Sequence, residues 1–418
     1  MENKHVIIVG AGVIGLCSAY YINKRGVRVT ILDNTDGTDN CSYGNAGFFS
    51  PSHIVPLASP GIISQGLRWM MRSDSPFYIK PRLDRDLISW GLKFRKAANK
   101  AQVEKAAPVL HELLMNSRQL ITEILADEGI DAGLNEKGLL MHCKTQHALD
   151  EEIEMANLAS RYGQETEVLT AKQASSLNPG LDLDVIGAVL FKNDASVTPH
   201  LLIDGLKKVL LKNGVSIEYD KHVEKFVTDK SGSIAKIIVN GEERHADEYV
   251  LAVGAWSRDM MKQLNVRLPM QAGKGYSFVL PSPKVMPDTC SILTEARVAV
   301  TPMKHGLRFA GTMEVNGLDL SINPKRVQGI VDSVSKYFPQ FSKDDFKDIE
   351  PWAGLRPCSP DGLPYIGRTK KFSNLLVATG HAMLGVSLGP VTGKLISQMV
   401  TDEPVEMDMT LLDVDRYN

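Results

Sequence analysis

Three glycines and one aspartate near the N-terminus have the spacing that phosphate and ribose binding require. Gly10, Gly12 and Gly15 follow a short apolar run, His5 to Val9, and Asp33 ends a second apolar run about 20 residues further on. Glycines here allow a tight turn, close approach of the backbone to a pyrophosphate, and close helix–strand packing. The helix N-terminus favours phosphate, and Asp33 can accept a ribose hydroxyl. A glycine-rich loop alone would only turn the chain, but the order strand, glycines, helix, strand, acid predicts a dinucleotide-binding βαβ unit.

Small residues also follow other predicted strands, where they could approach a bound cofactor. The segment Ser42 to Gly47 is rich in Gly, Ser and Asn and comes after the second strand. It could lie against a cofactor and offer backbone N–H groups, or it could be an ordinary surface loop. The apolar strand Leu375 to Thr379 runs into the glycine-flanked segment Gly380 to Gly385. This C-terminal unit could form another wall of the same site.

The bulk composition limits the class of protein. The 418 residues suffice for two or three domains, and 43% apolar with 23% charged residues is ordinary for a globular protein. A net charge of -2 gives no reason to expect nucleic acid as a partner. The five dispersed cysteines show neither a disulfide framework nor zinc spacing. Without a signal peptide or a run of about eighteen apolar residues, we expect a cytoplasmic protein with no metal.

Residues 60–96 mix basic residues with aromatic and aliphatic ones. Such a stretch can lie on a membrane surface, although it more often packs on its own protein. Peripheral contact with the inner face of the cell membrane is therefore an alternative to a purely cytoplasmic location. The residues concerned are Ile62, Ile63, Leu67, Trp69, Met70, Met71, Phe77, Tyr78, Ile79, Leu87, Ile88, Trp90, Leu92 and Phe94, with Arg68, Arg72, Lys80, Arg82, Arg85, Lys93, Arg95 and Lys96 among them.

Apolar periodicity predicts the remaining elements. Helices are expected over residues 102–128, 148–162, 201–211, 330–338 and 391–400. Strands are expected over residues 138–143, 185–192, 215–219, 249–253, 275–280, 298–302 and 307–313. Because strand-rich segments interrupt the nucleotide-binding pattern, the second domain is expected to be discontinuous.

Six motifs occur in a specific order. They are GAGVIG at 10–15, SYGNAG at 42–47, PLASPG at 56–61, GKGYSF at 273–278, GLRPCSPDGLPYIGR at 354–368 and ATGHAMLG at 378–385. The first is common to many flavin and nicotinamide enzymes. The combination resembles the D-amino acid dehydrogenase branch of the D-amino acid oxidase-like superfamily of FAD-dependent oxidoreductases, to which glycine and sarcosine oxidases are related. The resemblance runs from Val6 to Val400.

The resemblance implies a fold of the α/β and α+β classes. A Rossmann-like FAD-binding domain is expected to use residues 1–60, 195–268 and 351–418. The substrate domain would use residues 61–194 and 269–350 and would be built on a mixed, largely antiparallel sheet.

The resemblance also implies non-covalent FAD, because the spacing of Cys358 to Asp361 differs from that of sarcosine oxidases with covalent flavin. The adenosine would lie on the N-terminal unit, and the flavin ring between the loop 42–47 and the turn 380–385. The residues expected to contact FAD are Gly10, Gly12, Val13, Ile14, Gly15, Asp33, Ser42, Asn45, Ala46, Gly47, Val223, Gly254, Gly380, Leu384, Gly385 and Val386.

Three residues are candidates for the substrate site. Arg356 matches the family's arginine that pairs with the substrate carboxylate, and its planar fork suits that role; a structural salt bridge is the alternative. His381 could touch flavin or substrate, or be a packed structural histidine. Tyr276 could point its hydroxyl into the cavity, or be a sheet aromatic with its hydroxyl in solvent. No acid–base residue is assigned.

The implied activity is hydride transfer from Cα of a D-amino acid to flavin N5, and the resulting imino acid would hydrolyse to a keto acid and ammonia. D-Proline and cis-4-hydroxy-D-proline are candidate substrates. Arg308 stands where related oxidases place a lysine, which favours a dehydrogenase that passes electrons to a quinone or another carrier. The alternatives are an oxidase of glycine, sarcosine or a D-amino acid, a flavin-binding protein without turnover, and a nicotinamide dehydrogenase.

Overall fold

Two large β-sheets organise the chain, and each collects strands from distant parts of the sequence. The computed structural model describes residues 4–70, 75–405 and 407–418. Met71 and Arg72, which belong to the basic and aromatic stretch, lie outside the described residues. Strands and helices are numbered below in chain order.

The first sheet has six strands in the order β19-β20-β13-β1-β2-β9. Its strands are parallel except for the edge strand β19, which runs antiparallel to β20. Strand β1 is central and almost fully buried, as its apolar sequence predicts for a parallel sheet. The strands are β1 (His5–Val9), β2 (Arg28–Leu32), β9 (Ser216–Glu218), β13 (Glu248–Leu251), β19 (Tyr365–Arg368) and β20 (Leu375–Thr379).

Helices α1 (Val13–Lys24), α7 (Pro199–Lys212) and α10 (Gly385–Val400) pack beside this sheet. Helix α1 lies against α10 so closely that a Cβ at Gly393 would meet the backbone of Cys17 at 2.4 Å. The start of α10 before residue 391 corrects the predicted boundary. Glycine and proline are poor helix formers, and they occur at residues 385, 389 and 390. The apolar periodicity therefore does not reveal the first turns of this helix.

The second sheet is mixed and largely antiparallel. Its main path is β18-β14-β17-β16-β15-β5-β7-β6, and β4 pairs with β17. Among the described strands of this second sheet, only the pairs β15–β5 and β17–β4 are parallel. The strands are β4 (Phe77–Ile79), β5 (Leu139–Cys143), β6 (Thr166–Thr170), β7 (Gly187–Phe191), β14 (Gln271–Leu280), β15 (Cys290–Leu293), β16 (Val298–Met303), β17 (Gly306–Val315) and β18 (Trp352–Cys358). The two sheets confirm the predicted fold class.

Six further helices lie around the two sheets, and the longest of them packs on α10 beside the first sheet. They are α2 (Ile62–Met70), α3 (Arg85–Ala97), α4 (Lys100–Asp127), α5 (Gln146–Ser160), α6 (Ala171–Ser176) and α9 (Pro324–Tyr337), while α8 (Ser257–Gln263) follows β13. The side chains of Asn99 and Thr145 accept backbone N–H groups and so fix the starts of α4 and α5. Helix α9 begins before the predicted residue 330, because Asn323 caps it and Pro324 occupies its first turn. None of the described helices is long and apolar enough to cross a bilayer.

Two small sheets complete the fold. One contains β10 (Val223–Thr228), β11 (Ile234–Val239) and β12 (Glu242–Arg244), and the other pairs β3 (Phe48–Phe49) with β8 (Ala195–Ser196). The expected domain boundaries stay a prediction. Strand β18, within the segment 351–418 assigned to the FAD-binding domain, pairs with β14 of the second sheet.

Candidate active site

The glycine loop between β1 and α1 is folded as tightly as its sequence predicts. Gly10 has a φ of +109°, and a Cβ on it would meet the carbonyl oxygen of Ala252 at 2.5 Å. A Cβ on Gly15 would meet the carbonyl oxygen of Gly10 at 1.9 Å. Gly12 differs, since a Cβ there would meet only Ser42 Oγ, at 3.5 Å. Gly10 and Gly15 therefore close the loop, while Gly12 leaves open space beside it.

Asp33 braces this loop from the end of β2. Its Oδ2 accepts the Ala11 N–H at 2.6 Å, and its Oδ1 accepts the N–H and the hydroxyl of Thr35 at 2.9 and 2.6 Å. The residue is largely buried but still borders the main cavity. Its carboxylate oxygens have lone pairs left for a ribose hydroxyl.

The loop 42–47 is held on the face of the second sheet. Ser277 Oγ donates to the Gly44 carbonyl at 2.9 Å, and Thr301 Oγ1 donates to the Ala46 carbonyl at 2.8 Å. Arg308 donates from one nitrogen to the carbonyls of Tyr43 and Asn45, both at 2.7 Å. Burial lowers the pKa of Arg308 to about 10. Arg308 thus fixes the loop, a role that its alignment with the oxidase lysine did not suggest.

A cavity of about 1650 Å³ joins these parts, running between the first sheet and one face of the second. Three of the expected FAD contacts, Gly15, Gly47 and Gly380, do not line it. These three glycines contact neighbouring protein atoms closely instead of the cavity. Gly47 and Gly380 also have a positive φ. The expected contacts that do line it are Gly10, Gly12, Val13, Ile14, Asp33, Ser42, Asn45, Ala46, Val223, Gly254, Leu384, Gly385 and Val386.

The cavity fits an extended dinucleotide. It exceeds the roughly 300–1,000 Å³ of ordinary ligand sites, and it reaches from Val223 and Asp33 past the start of α1 to Leu384. No heavy atom lies within 4 Å of where a Cβ of Gly254 would be, so the backbone there is open to a ligand. The N-terminus of α1, which the sequence predicts to bind phosphate, borders this cavity.

Arg356 extends from β18 to the cavity wall. Its guanidinium donates to the Thr312 carbonyl at 2.6 Å and lies flat against Gly275, where a Cβ would meet it at 2.3 Å. No carboxylate forms a salt bridge with it among the described residues, which argues against the structural alternative. Burial lowers its pKa. A partly buried cation without a counter-ion is costly, so this group is suited to bind an anion.

Tyr276 lies beside Arg356 but its hydroxyl is already engaged. The hydroxyl donates to Glu314 Oε2 at 2.5 Å, and Glu314 also forms ion pairs with Lys274 at 3.6 Å and Arg326 at 3.3 Å. Tyr276 is 1% exposed, which excludes the alternative of a hydroxyl in solvent. The residue is among those that border the cavity, but its ring packs in the apolar cluster with Phe278 and Ile330, on the α9 side of the second sheet, and its hydroxyl joins a buried ionic network.

His381 borders the cavity at the start of the last helix region. Its Nε2 lies 3.0 Å from Thr392 Oγ1 on α10, and burial lowers its pKa to about 3. The imidazole is therefore neutral at physiological pH. One ring nitrogen is occupied within the protein, as the structural interpretation expected.

Comparison with known proteins agrees with this geometry. The model of the family described as FAD dependent oxidoreductase (DAO) matches residues 5–399. The chain belongs to this family. It is 31% identical, over 99% of both chains, to a D-amino acid dehydrogenase of Vibrio atlanticus (strain LGP32). It is similar in structure to glycine oxidase from Geobacillus kaustophilus (TM-score 0.77, 22% identity, 100% of both chains) and to L-proline dehydrogenase from P. horikoshii (TM-score 0.75, 16% identity, 100% of this chain and 98% of that chain). The predicted FAD cofactor and oxidoreductase class are confirmed.

Sequence reasoning missed three polar residues on the cavity wall of this FAD-dependent oxidoreductase: His53, Glu152 and Arg297. For Glu152 a signal existed. It occupies the buried face of α5 together with Ala148 and Ala156, where an apolar residue is the norm. For His53 and Arg297, which lie outside the regular elements, no periodicity could have marked them.

Proposed function

We propose that this FAD-dependent oxidoreductase dehydrogenates a D-amino acid. The observation that carries the proposal is the guanidinium of Arg356, which has no acidic partner among the described residues and lies on the wall of the FAD cavity. A bidentate pair with a carboxylate would satisfy it. The full-length likeness to a D-amino acid dehydrogenase supports a D-amino acid as the carboxylate-bearing substrate. D-Proline and cis-4-hydroxy-D-proline are candidates.

FAD would be held by parts from both ends of the chain. Gly12, Val13 and Ile14 would offer the N-terminus of α1 to the pyrophosphate, and Asp33 would accept a ribose hydroxyl. The adenine would lie beside Val223. The flavin would lie between the loop 42–47 and the segment 384–386, without a covalent bond to Cys358. When bound, FAD supplies the hydride acceptor for the chemistry.

The protein's own contribution is orientation and the exclusion of water. Arg356, fixed by Thr312 and Gly275, would hold the substrate carboxylate so that Cα faces the flavin. His381 would hold α10 through Thr392 and stay neutral. From a substrate with a primary amine, the imino acid that leaves the site would hydrolyse in water to a keto acid and ammonia; the cyclic imine from D-proline would open to an amino keto acid without releasing ammonia.

Electrons would pass to a quinone or another carrier. Arg308 supports this choice over an oxidase, because its guanidinium is engaged by two loop carbonyls and supplies no lysine-like amine to oxygen. The exposed apolar side chains of Leu67, Leu83, Ile88 and Leu92 support peripheral membrane contact through residues 60–96. Sedimentation with anionic vesicles, compared between the wild type and Leu67→Ser/Leu92→Ser, tests that contact; equal pelleting would contradict it.

A steady-state assay tests the activity. D-Proline and other D-amino acids should reduce an artificial acceptor, whereas their L-enantiomers should not. Oxygen uptake with stoichiometric peroxide at the turnover rate would instead identify an oxidase. A flavin-binding protein without turnover would give neither signal.

A further inference from the structure

A row of side chains forms a trough from the Arg356 end of the cavity across the second sheet. Ala310 on β17 pairs with Ala299 on β16, Ala299 pairs with Ile292 on β15, and Ile292 pairs with Met141 on β5. All four line the cavity. Paired residues on neighbouring strands point to the same face. The two alanines leave space near Arg356, and the trough then continues towards α5.

Two side chains of opposite charge that do not pair with each other border the same cavity beside this row. Glu152 on α5 and the exposed Arg297 in the β15–β16 turn both line the cavity, and neither side chain has a hydrogen bond or a salt bridge among the described residues. Glu152 is 8% exposed, and burial raises its pKa to about 7 while the nearby Arg297 guanidinium opposes that rise. Arg297 has a φ of +54°, an uncommon conformation for a residue with a side chain. Such strain is often retained at binding sites.

His53 is a third polar group on the cavity wall, and its hydrogen-bonding partners determine which of its ring nitrogens donates and which accepts. The buried Asp194 accepts the Ser52 N–H at 3.0 Å and the Ser52 hydroxyl at 2.6 Å. Burial raises the pKa of Asp194 to about 7. Above that pH the ionised carboxylate takes the only proton of the Ser52 hydroxyl, whose oxygen then accepts from His53 Nδ1 at 3.1 Å. The proton of the neutral imidazole is then on Nδ1, and Nε2 is an acceptor. Burial lowers the pKa of His53 to about 4, and the Arg297 guanidinium acts in the same direction.

We propose that Arg297, Glu152 and His53 bind a neutral hydrogen-bonding group, a carboxamide or a hydroxyl, at the end of the substrate side chain. The proposal rests on the proposed function, since Arg356 must hold the other end of the substrate. Arg297 only donates, whereas ionised Glu152 and His53 Nε2 only accept. A neutral group with both donor and acceptor atoms can accept a hydrogen bond from Arg297 and donate to Glu152 or His53. A carboxylate would be repelled by Glu152, an ammonium would be repelled by Arg297, and an apolar group would leave the acceptors of Glu152 and His53 without a donor.

The test uses D-asparagine, D-leucine and D-aspartate, which have nearly the same shape. Anaerobic rapid mixing of the FAD-loaded enzyme at pH 8.5, where Glu152 is ionised, gives a flavin reduction rate and a Kd for each. Each rate-to-Kd ratio is divided by that for D-proline with the same variant, so that a general loss of activity cancels. D-Asparagine should exceed D-leucine by about tenfold or more. Arg297→Met should bring the two within about twofold of each other.

Two charge-neutral variants give opposite signatures that a structural defect would not produce. Glu152→Gln removes the charge that repels a carboxylate, so it should raise the normalised rate-to-Kd ratio of D-aspartate relative to that of D-asparagine. Arg297→Gln removes the charge that repels an ammonium, so it should raise the normalised ratio of D-2,4-diaminobutyrate relative to that of D-asparagine. Two results would overturn the proposal, provided that D-proline still reduces the flavin. One is an equal normalised ratio for D-asparagine and D-leucine in the wild type; the other is a preference for D-asparagine over D-leucine that is unchanged in Arg297→Met. Failure of every D-amino acid to reduce the flavin would overturn the proposed function together with it.

Discussion

At the residue scale, the position of Arg356 depends on the absence of a side chain opposite it. Gly275→Ala would place a Cβ at 2.3 Å from the guanidinium and push it from the Thr312 carbonyl. We expect the Kd of D-proline to rise about tenfold or more, the effect of one charge-assisted hydrogen bond, with FAD still bound. Anaerobic titration of the flavin spectrum measures both. Gly91→Ala on α3, where a Cβ would meet no heavy atom within 4 Å, is the matched control. An unchanged Kd in Gly275→Ala would contradict the assigned geometry.

A second prediction at this scale concerns acid stability. His142 on β5 is buried, both its ring nitrogens are without a partner among the described residues, and burial lowers its pKa to about 4. Its pKa is therefore lower in the folded than in the unfolded protein. Between pH 6.5 and pH 4 the unfolded state binds more protons, so the free energy of unfolding falls as the pH falls.

His142→Leu should remove part of this acid sensitivity. The group accounts for about 2–3 kcal/mol of the loss between pH 7 and roughly pH 4.5. Urea unfolding at the two pH values measures it, and His147→Leu, an exposed histidine on α5, is the control. If His142→Leu loses as much stability on acidification as the wild type, the assignment is wrong.

At the scale of elements, the contact of α1 with α10 brings together the two helices whose N-termini border the FAD cavity. Gly393→Ala would drive a Cβ into the backbone of Cys17, and overpacking of this kind costs about 1–3 kcal/mol. We expect a lower Tm and weaker FAD retention. Gly389→Ala is the milder comparison, because its Cβ would meet the side chains of Val13 and Cys17, which can shift. Equal Tm values for both variants would contradict this account of the contact.

The sequence predicted local elements well and boundaries near glycine or proline poorly. The unit β1–α1–β2 was predictable because its strand, turn and helix signals are adjacent. The starts of α9 and α10 were misplaced, since Pro324 and Gly385 to Pro390 interrupt the apolar period. The Ala310–Met141 row was not predictable, because register between strands far apart in sequence is set by packing.

The same contrast holds for the candidate site. The cofactor positions near Gly12 and the arginine at 356 followed from motifs, and their roles towards FAD and substrate stay predictions. His53 became visible only when folding placed it beside Ser52 and Asp194, and Asp194 is far away along the chain. Polar clusters assembled from distant segments leave no local pattern.

At the scale of the whole molecule, residues from both ends of the chain border one cavity, so FAD should stabilise the assembled protein. With free FAD at roughly 1,000 times its Kd, the free energy of unfolding should be about 4 kcal/mol higher than that of the FAD-free protein. Thermal unfolding of the FAD-free protein with and without added FAD measures this. Riboflavin lacks the pyrophosphate and the ribose that Gly12 and Asp33 would bind, so it should produce little of the rise in Tm that FAD produces. Full restoration by riboflavin would contradict the assigned pyrophosphate and ribose site.

The most direct test of the central claim is anaerobic reduction of the bound flavin by paired D- and L-amino acids, with Arg356→Gln in parallel. The account predicts loss of the oxidised-flavin absorbance with the D-enantiomer alone. In Arg356→Gln the Kd should rise by about tenfold to a hundredfold while FAD remains bound. Reduction by the L-enantiomer at a similar rate, or an unchanged Kd in Arg356→Gln, would contradict it.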